Sequence, residues 1–388
     1  MLKARLADGR FFYFDDQRVK LSARLAALSQ LTFHEGLGSY QEKQERLVVA
    51  ARALAEALGL EARLAVCLER ALELCKLDLV TNLVRELPEL QGYVGSWYAY
   101  ADGEPPDVVA AIASHYAPRF TDDDIPADTV GCLASVVDKL DNLVGLFALG
   151  KRPSGSSDPY VLRRQAQGLI DILIDGLSQY RVNLTALMGQ LLSLLEPKLK
   201  PGGEPAKKGV RELGEFLVQR LRAKLLERGF GRELVESVLN AGDPLSNLPD
   251  LLVRLESLQE MVRSAGGLDL VRAGVRVGNI LTADSPTQLD EELLKEEAEI
   301  ALWEAFKRDV LSAWEDDGSF RPPASKEEYL RLLCLLSKVG PLVDQLFDRV
   351  MINDPDPVKR GNRHALLSKL DRYFRSVADF PRLQPLLP

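Results

Sequence analysis

Three carboxylates stand among residues that should be core. Asp78 lies inside the apolar run "LCKLDL" (74–79), with Cys75 and Lys76 just before it. Asp138 and Asp141 lie in "GCLASVVDKLDNLVGLFALG" (131–150). Three residues apart, they share one helix face with Ala134 and Gly145, beside an apolar stripe of Leu133, Val137, Leu140, Val144 and Phe147. The small residues let a second helix or a ligand come close. If the two helices pack together, the three carboxylates form one oxygen-rich site, and oxygen donors of this kind hold Mg²⁺ loosely. Arg163 and Arg164, in "SGSSDPYVLRR", carry the opposite charge. They either clamp a phosphate or pair with Asp138 and Asp141. The ion pair is the expectation, because a carboxylate stripe without a metal needs a cation. Asp158 and Pro159 read as the N-cap and first residue of the helix that carries the arginines.

A second group lies near the C-terminus. Arg349, Arg360, Arg363, Lys369, Arg372 and Arg375 fall close to Asn353, Asn362, His364 and Tyr373. Arginines for phosphates, with amide and aromatic groups for bases, are how splayed single-stranded RNA is read. A solvated amphipathic helix would use the same residues.

The elements that must position these groups are helices. "QERLVVAARALAEALGL" and "VRELGEFLVQRLRAKLLERGF" space apolar residues three and four apart, with charge opposite. No paired strands flank an Asn-Gly or Asp-Gly turn, and only "RFFYFDDQR" reads as a strand. The expected class is all-α. Breaks fall at "ALGKRPSGSSDP" (148–159), at the Pro/Gly-rich "EPKLKPGGEPAKKG" (196–209), and at "DGSFRPPASKEE" (317–328), where Ser325 and Glu328 form a capping box. These divide the chain into a lead-in (1–20), a helical domain (21–200), and a second helical region (201–388).

Bulk properties bound the function. The 388 residues are 46% hydrophobic and 27% charged, long enough for more than one core. No apolar run reaches the length of a membrane span, and "MLKARLADGRFFYF" lacks the charged-then-apolar-then-small pattern of a secretory signal. The four cysteines are scattered in apolar contexts, which fits buried thiols in a reduced cytoplasmic chain. A net charge of −8 argues against indiscriminate coating of DNA or membrane. Charge is nonetheless segregated: Lys207–Glu233 holds eight Lys/Arg against four Glu, Arg349–Ser376 seven against three Asp, and Asp284–Glu299 seven acids against one Lys.

Asp78 followed about sixty residues later by "DKLDN" resembles the helical HD-domain fold, whose site uses a His, a His-Asp pair and a distal Asp. The resemblance puts His34, in "LTFHEGLGS", at the first His, with Asp78, Asp138 and Asp141 as the acids. Leu77 then occupies the place of the paired His. Fixing a metal in such a site needs imidazole, so the resemblance implies a degenerate cluster with no catalytic residue and no metal. The competing reading is a divalent-metal-dependent HD-fold phosphohydrolase.

Longer strings resemble one family over essentially the whole chain. "CKLDLVTNLVRELPELQGYVGSWYAYADGE" (75–104), "HYAPRFTDDDIP" (115–126), "VVDKLDNLVGLFALG" (136–150), "SGSSDPYVLRRQAQGLI" (154–170), "RVGNIL" (276–281), "FDRVMINDPD" (347–356) and "RGNRHALLSKL" (360–370) look like consecutive blocks of the β subunit of bacterial heterotetrameric glycyl-tRNA synthetase. Such subunits are longer, with further N-terminal domains, so the chain is expected to be their C-terminal portion. In "RVGNIL" the basic residue usual in the family just before Arg276 is replaced by Val275, and Gly274 and Gly278 loosen the helix by roughly 1 kcal/mol each relative to alanine.

The resemblance implies an HD-like helical domain followed by a helical anticodon-binding domain similar to that of arginyl-tRNA synthetase. It implies recognition and positioning of tRNA-Gly for glycylation by a separate α subunit. The chain would be a subunit of an ATP-dependent glycine-tRNA ligase, non-catalytic alone, and needing no cofactor of its own because the α subunit uses the ATP and Mg²⁺. No Gly-rich phosphate loop, HIGH-like or KMSKS-like string, or class II motif is present, in keeping with that division of labour. The residues implied for tRNA are Arg276, Asn279, Arg349, Asn353, Arg360, Asn362, Arg363, Lys369 and Arg372, with Asn353, Asn362 and Arg363 at base edges.

Overall fold

A helix buried on nearly every side sits at the centre of a bundle, and Thr129–Ala148 is such a helix even though it carries Asp138, Lys139 and Asp141. A computed structural model describes residues 2–120, 123–154, 157–199, 204–316 and 319–388. In it Thr129–Ala148 is a helix with nearly every residue buried, opened by the Asp128 carboxylate accepting from the Gly131 amide at 2.8 Å.

The chain folds as two compact units, residues 1–221 with 245–248, and 222–244 with 249–388. The first contains α1 (Leu2–Asp16), a short antiparallel pair β1 (Thr32–His34) and β2 (Gly38–Ser39), α2 (Tyr40–Leu58), α3 (Ala62–Leu74), α4 (Asn82–Glu86), α5 (Tyr93–Ala101), α6 (Pro106–Ser114), the central α7 (Thr129–Ala148), α8 (Leu162–Asp171), α9 (Leu184–Leu195) and most of α10 (Glu204–Glu227). Helices α2, α3, α6, α8 and α9 surround α7. A capping box starts α2: Ser39 Oγ accepts from the Glu42 amide and Glu42 Oε2 from the Ser39 amide.

The second unit contains α11 (Arg232–Leu239), α12 (Leu248–Val262), α13 (Gly267–Ile280), α14 (Glu297–Phe306), α15 (Ser312–Trp314), the pair β3 (Glu315–Asp316) and β4 (Ser319–Phe320), α16 (Lys326–Arg349), α17 (Pro357–Arg375) and a C-terminal 3-10 turn, Phe380–Leu386. Its core forms where α13 packs on α16, α17 and the C-terminal turn. The all-α class holds. No helix among the described residues is long and apolar enough to cross a membrane.

Four expectations are corrected. Residues 10–16 of "RFFYFDDQR" are helical, the end of α1, and there buried Asp16 accepts the Asn82 and Leu83 amides, both at 3.0 Å, at the start of α4. The unit boundary falls between residues 221 and 222, inside α10, rather than at 200. Residues 200–203 of the expected linker lie outside the described residues, and the helix beginning at Glu204 buries Leu213, Leu217 and Leu221 before the boundary. The helix after "SGSSDP" starts at Leu162 rather than Pro159; residues 155 and 156 lie outside the described residues. Asp158 still caps it, from further upstream, by accepting the Leu162 and Arg163 amides. Ser325 accepts from the Glu328 amide, but the Glu328 carboxylate reaches the Ala324 amide, so the box is offset by one residue. Residues 317 and 318 of that break are likewise outside the described residues.

Gly274 and Gly278, costly for helix propensity, are what lets the C-terminal turn sit down on α13. A Cβ at Gly274 would run into the Phe380 ring, and one at Gly278 would stand 2.6 Å from Pro381. We expect Gly274→Ala to lower stability by about 1–3 kcal/mol, since overpacking outweighs the helix gain of about 1 kcal/mol. A denaturation midpoint equal to or above wild type would show that the turn does not need this close approach.

Candidate functional site

Asp138 and Asp141 point from α7 into a charged cluster buried in the first unit, and three cations meet them there. Lys43 Nζ, from α2, lies 2.8 Å from Asp141 Oδ2 and 3.0 Å from Asp138 Oδ1. One turn on, Arg46 grips Asp141 with two N–H groups, Nε at 2.9 Å and Nη2 at 3.2 Å. Lys76 Nζ, just past the end of α3, donates to Asp138 Oδ2 at 2.9 Å. Lys43, Lys76 and Asp138 are each at most 2% exposed, and Asp141 not at all.

Burial pushes both carboxylates toward the neutral form, but the surrounding cations outweigh it. Asp138, facing Lys43 and Lys76, and Asp141, facing Lys43 and Arg46, are both held below the usual carboxylate range. For Lys76, burial favours the neutral amine and Asp138 reverses it, leaving its pKa raised.

A histidine completes the cluster, and it is His115, not His34. Its Nδ1 lies 2.7 Å from the Ile112 carbonyl, which can only accept, so Nδ1 carries the proton and Nε2 accepts from Lys76 Nζ at 3.0 Å. Burial and the Lys76 charge hold this imidazole neutral, its pKa well below the usual value. His34 instead lies on β1, where its Nδ1 accepts the Gly36 amide and its ring faces Tyr160 at 6.0 Å.

Asp78 has a separate task. α3 ends at Leu74 and residues 77–80 form a 3-10 turn, so the residue aimed at Asp138 is Lys76, and Asp78 points to the start of α5. Its Oδ2 accepts the amides of Gly92 at 2.6 Å and Gly95 at 3.2 Å; Gly92 takes a φ of 85°, which a side chain would resist. Its Oδ1 is buried without a hydrogen bond. Burial raises the Asp78 pKa to about 6 despite those amides. Among the described residues, no three His, Cys, Asp or Glu side chains gather to hold a metal ion.

The counter-charge expected from Arg163 or Arg164 comes instead from Lys43, Arg46 and Lys76. Arg164 is exposed and donates to the Arg119 carbonyl at 3.3 Å. Lys43 and Arg46 were findable: they stand on the α2 face that carries Leu47, Ala50 and Leu54, where a charge must be matched.

In the second unit, the residues named for RNA divide by burial. Arg363 is 5% exposed and bonded to Glu299 at 2.6 Å and Asp354 at 2.7 Å. Asn362 is 7% exposed and holds the Asp290 backbone, accepting its amide at 2.8 Å and donating to its carbonyl at 3.0 Å. Neither can meet a base edge. Arg276 pairs with Asp344 and Asp348, Asn279 is exposed beside Gln384, and Lys369 lies 6.0 Å from the Trp303 ring. Arg349, Asn353, Arg360 and Arg372 are exposed, with His364 held against the Asn353 side-chain oxygen at 2.9 Å. Exposed Met351 and Val358 lie on either side of Asn353 in sequence.

The fold and this cluster define an all-α protein whose central acids are matched by cations of its own. A profile of the glycyl-tRNA synthetase beta subunit family matches residues 1–240, and the chain belongs to that family. It is 36% identical to glycine--tRNA ligase beta subunits from Desulforamulus reducens and Dechloromonas aromatica, and 34% to that of Halalkalibacterium halodurans, in each case over 99% of this chain. The chain spans 52–54% of the length of these relatives.

Asp78 yields a test with a defined sign. Its carboxyl titrates near 3.9 when unfolded and about 6 when folded, so the folded state holds its proton more tightly. Its contribution to stability is therefore fullest below about pH 4 and is lost as pH rises through about 6. Asp78→Asn should remove that loss, so the stability difference between variant and wild type should shift in the variant's favour from pH 4 to 6.5. Parallel pH profiles would show that Asp78 is not the group.

Proposed function

We propose that this chain is a tRNA-binding part of the glycyl-tRNA synthetase beta subunit. In this reading it recognises tRNA-Gly and positions it for glycylation by the separate alpha subunit, which uses the ATP and Mg²⁺. Family membership carries the reading, with similarity extending across both units. The first unit serves as an HD-like domain whose acids are neutralised by Lys43, Arg46 and Lys76, so it works as scaffold and contact surface rather than as a hydrolase. A divalent-metal phosphohydrolase would need a metal at Asp138 and Asp141, oxygens these cations already hold.

The second unit supplies the anticodon contacts. In this reading Arg349, Arg360 and Arg372, all exposed, meet phosphates, and exposed Asn353 meets a base; the exposure of these four residues supports the assignment. Asn362 and Arg363 hold this surface together from beneath. The test is filter binding of tRNA-Gly and an unrelated tRNA across a salt series. Replacing Arg349, Arg360 and Arg372 together by Gln should weaken both tRNAs and reduce the log–log salt slope by roughly 0.7–0.9 for each phosphate no longer neutralised. Asn353→Ala should instead narrow the preference for tRNA-Gly. Unchanged affinity and slope in the triple variant would rule out this face.

A further inference from the structure

A cleft of about 570 Å³ opens beside the buried cluster, walled by Tyr116, Arg119, Asp138, Lys139, Tyr160 and Arg164. Its cations have no carboxylate partner among the described residues. Lys139 is 4% exposed, and its ammonium donates to the carbonyls of Tyr116 at 2.9 Å and Ala117 at 3.0 Å, leaving one N–H over. Arg119 is held in a fixed pose: Nη2 donates to the Gln91 carbonyl at 3.0 Å, and the guanidinium stacks 4.7 Å from the Tyr93 ring centre and 5.5 Å from that of Tyr116. Arg164 leans on the Arg119 carbonyl. Among the described residues, none of these three cations has a carboxylate within ion-pair distance.

Three of the described acids nearby have partners of their own. Asp138 belongs to Lys43 and Lys76, and Asp123 accepts the Arg119 backbone amide at 2.6 Å. Asp158 occupies the first amides of α8, so an anion here would be held by side chains and not by the helix end. Beneath the cleft, three cations face the two carboxylates of the cluster. Desolvation, with the nearby charges of Lys76 and Arg119, lowers the pKa of buried Lys139 to about 8. On the rim, Val161 holds a φ of 57° and ψ of 33°, a left-handed conformation that a β-branched residue adopts only under constraint.

We propose that this cleft binds a nucleotide, with Arg119 and Arg164 donating to its phosphate, Lys139 as the inner cation, and the Tyr160 and Tyr116 rings as walls for its base or sugar. Planar, always-charged guanidiniums pre-set by stacking suit a phosphate ester. The phosphate can belong to a free nucleotide or to an unpaired nucleotide of RNA. This site lies in the first unit and does not rest on the tRNA face proposed for the second.

The full chain and its R119Q, R164Q and R119Q/R164Q variants are titrated calorimetrically with inorganic phosphate, AMP and adenosine, and a six-adenosine oligoribonucleotide is used to displace AMP. Saturable one-to-one binding of AMP is expected, tighter than phosphate, with adenosine at least tenfold weaker. Each single variant should weaken AMP roughly tenfold, the range for hydrogen bonds to charged groups. R349Q should leave AMP binding unchanged, which separates this site from the second-unit face. An oligonucleotide that displaces AMP at lower concentration than AMP itself assigns the site to RNA; the reverse assigns it to free nucleotide. No saturable AMP binding, or equal AMP affinity in wild type and R119Q/R164Q with circular dichroism unchanged, would overturn the proposal.

Discussion

The first unit depends on keeping ions in a dry interior. Two carboxylates and two ammonium groups are almost completely withdrawn from water, with a guanidinium beside them. Each would cost several kcal/mol to bury alone, and the set is tolerable only because opposite charges meet near 3 Å with hydrogen bonds between them. That requirement fixes geometry. Lys43 and Arg46 come from α2, Lys76 from the end of α3, His115 from the end of α6, and the acids from α7. A helix that slid by one turn would strand a charge, so the electrostatics select one register among packings that apolar contacts alone would accept.

The second unit uses the same device. Arg363, near the head of α17, draws together Glu299 of α14, Asp354 of the preceding loop and the Met351 carbonyl. Glu299 in turn accepts the Lys295 and Glu296 amides and so caps its own helix. Asn362 adds the Asp290 backbone. The acidic stretch 284–299 is thereby tied to the basic helix, and the cations left on the surface are those not consumed in this way. What binds a partner and what holds the fold are adjacent residues in sequence, separated by which side of a helix they occupy.

Much of this was legible. Helical period placed α2, α7 and α10, and the i, i+3 spacing put Asp138 and Asp141 on one face. Three kinds of information were not local. The aromatic run before Asp16 favours a strand by propensity, yet tertiary contacts of Asp16 with α4 accompany a helix there. Helical spacing does not carry past Leu74, so Asp78 was aligned with a site that Lys76 reaches. His34 and His115 are equivalent by residue type, and only packing chooses between them. Arg363 did leave a trace: it heads the stripe Leu366, Leu367 and Leu370, all buried, and so stands on the inner face.

The central claim is that the acids of α7 and the cations of α2 and α3 form one coupled unit that is worth keeping only when complete. A double-mutant cycle on Lys76 and Asp138, read by chemical denaturation at neutral pH, tests it most directly. Asp138→Asn should cost about 3–5 kcal/mol, because it leaves Lys76 without a carboxylate, and Lys76→Met somewhat less, because Lys43 still faces Asp138. The double variant should cost less than the sum of the two by well over about 0.5 kcal/mol. Single variants that cost under about 1 kcal/mol, or costs that simply add, would contradict the account.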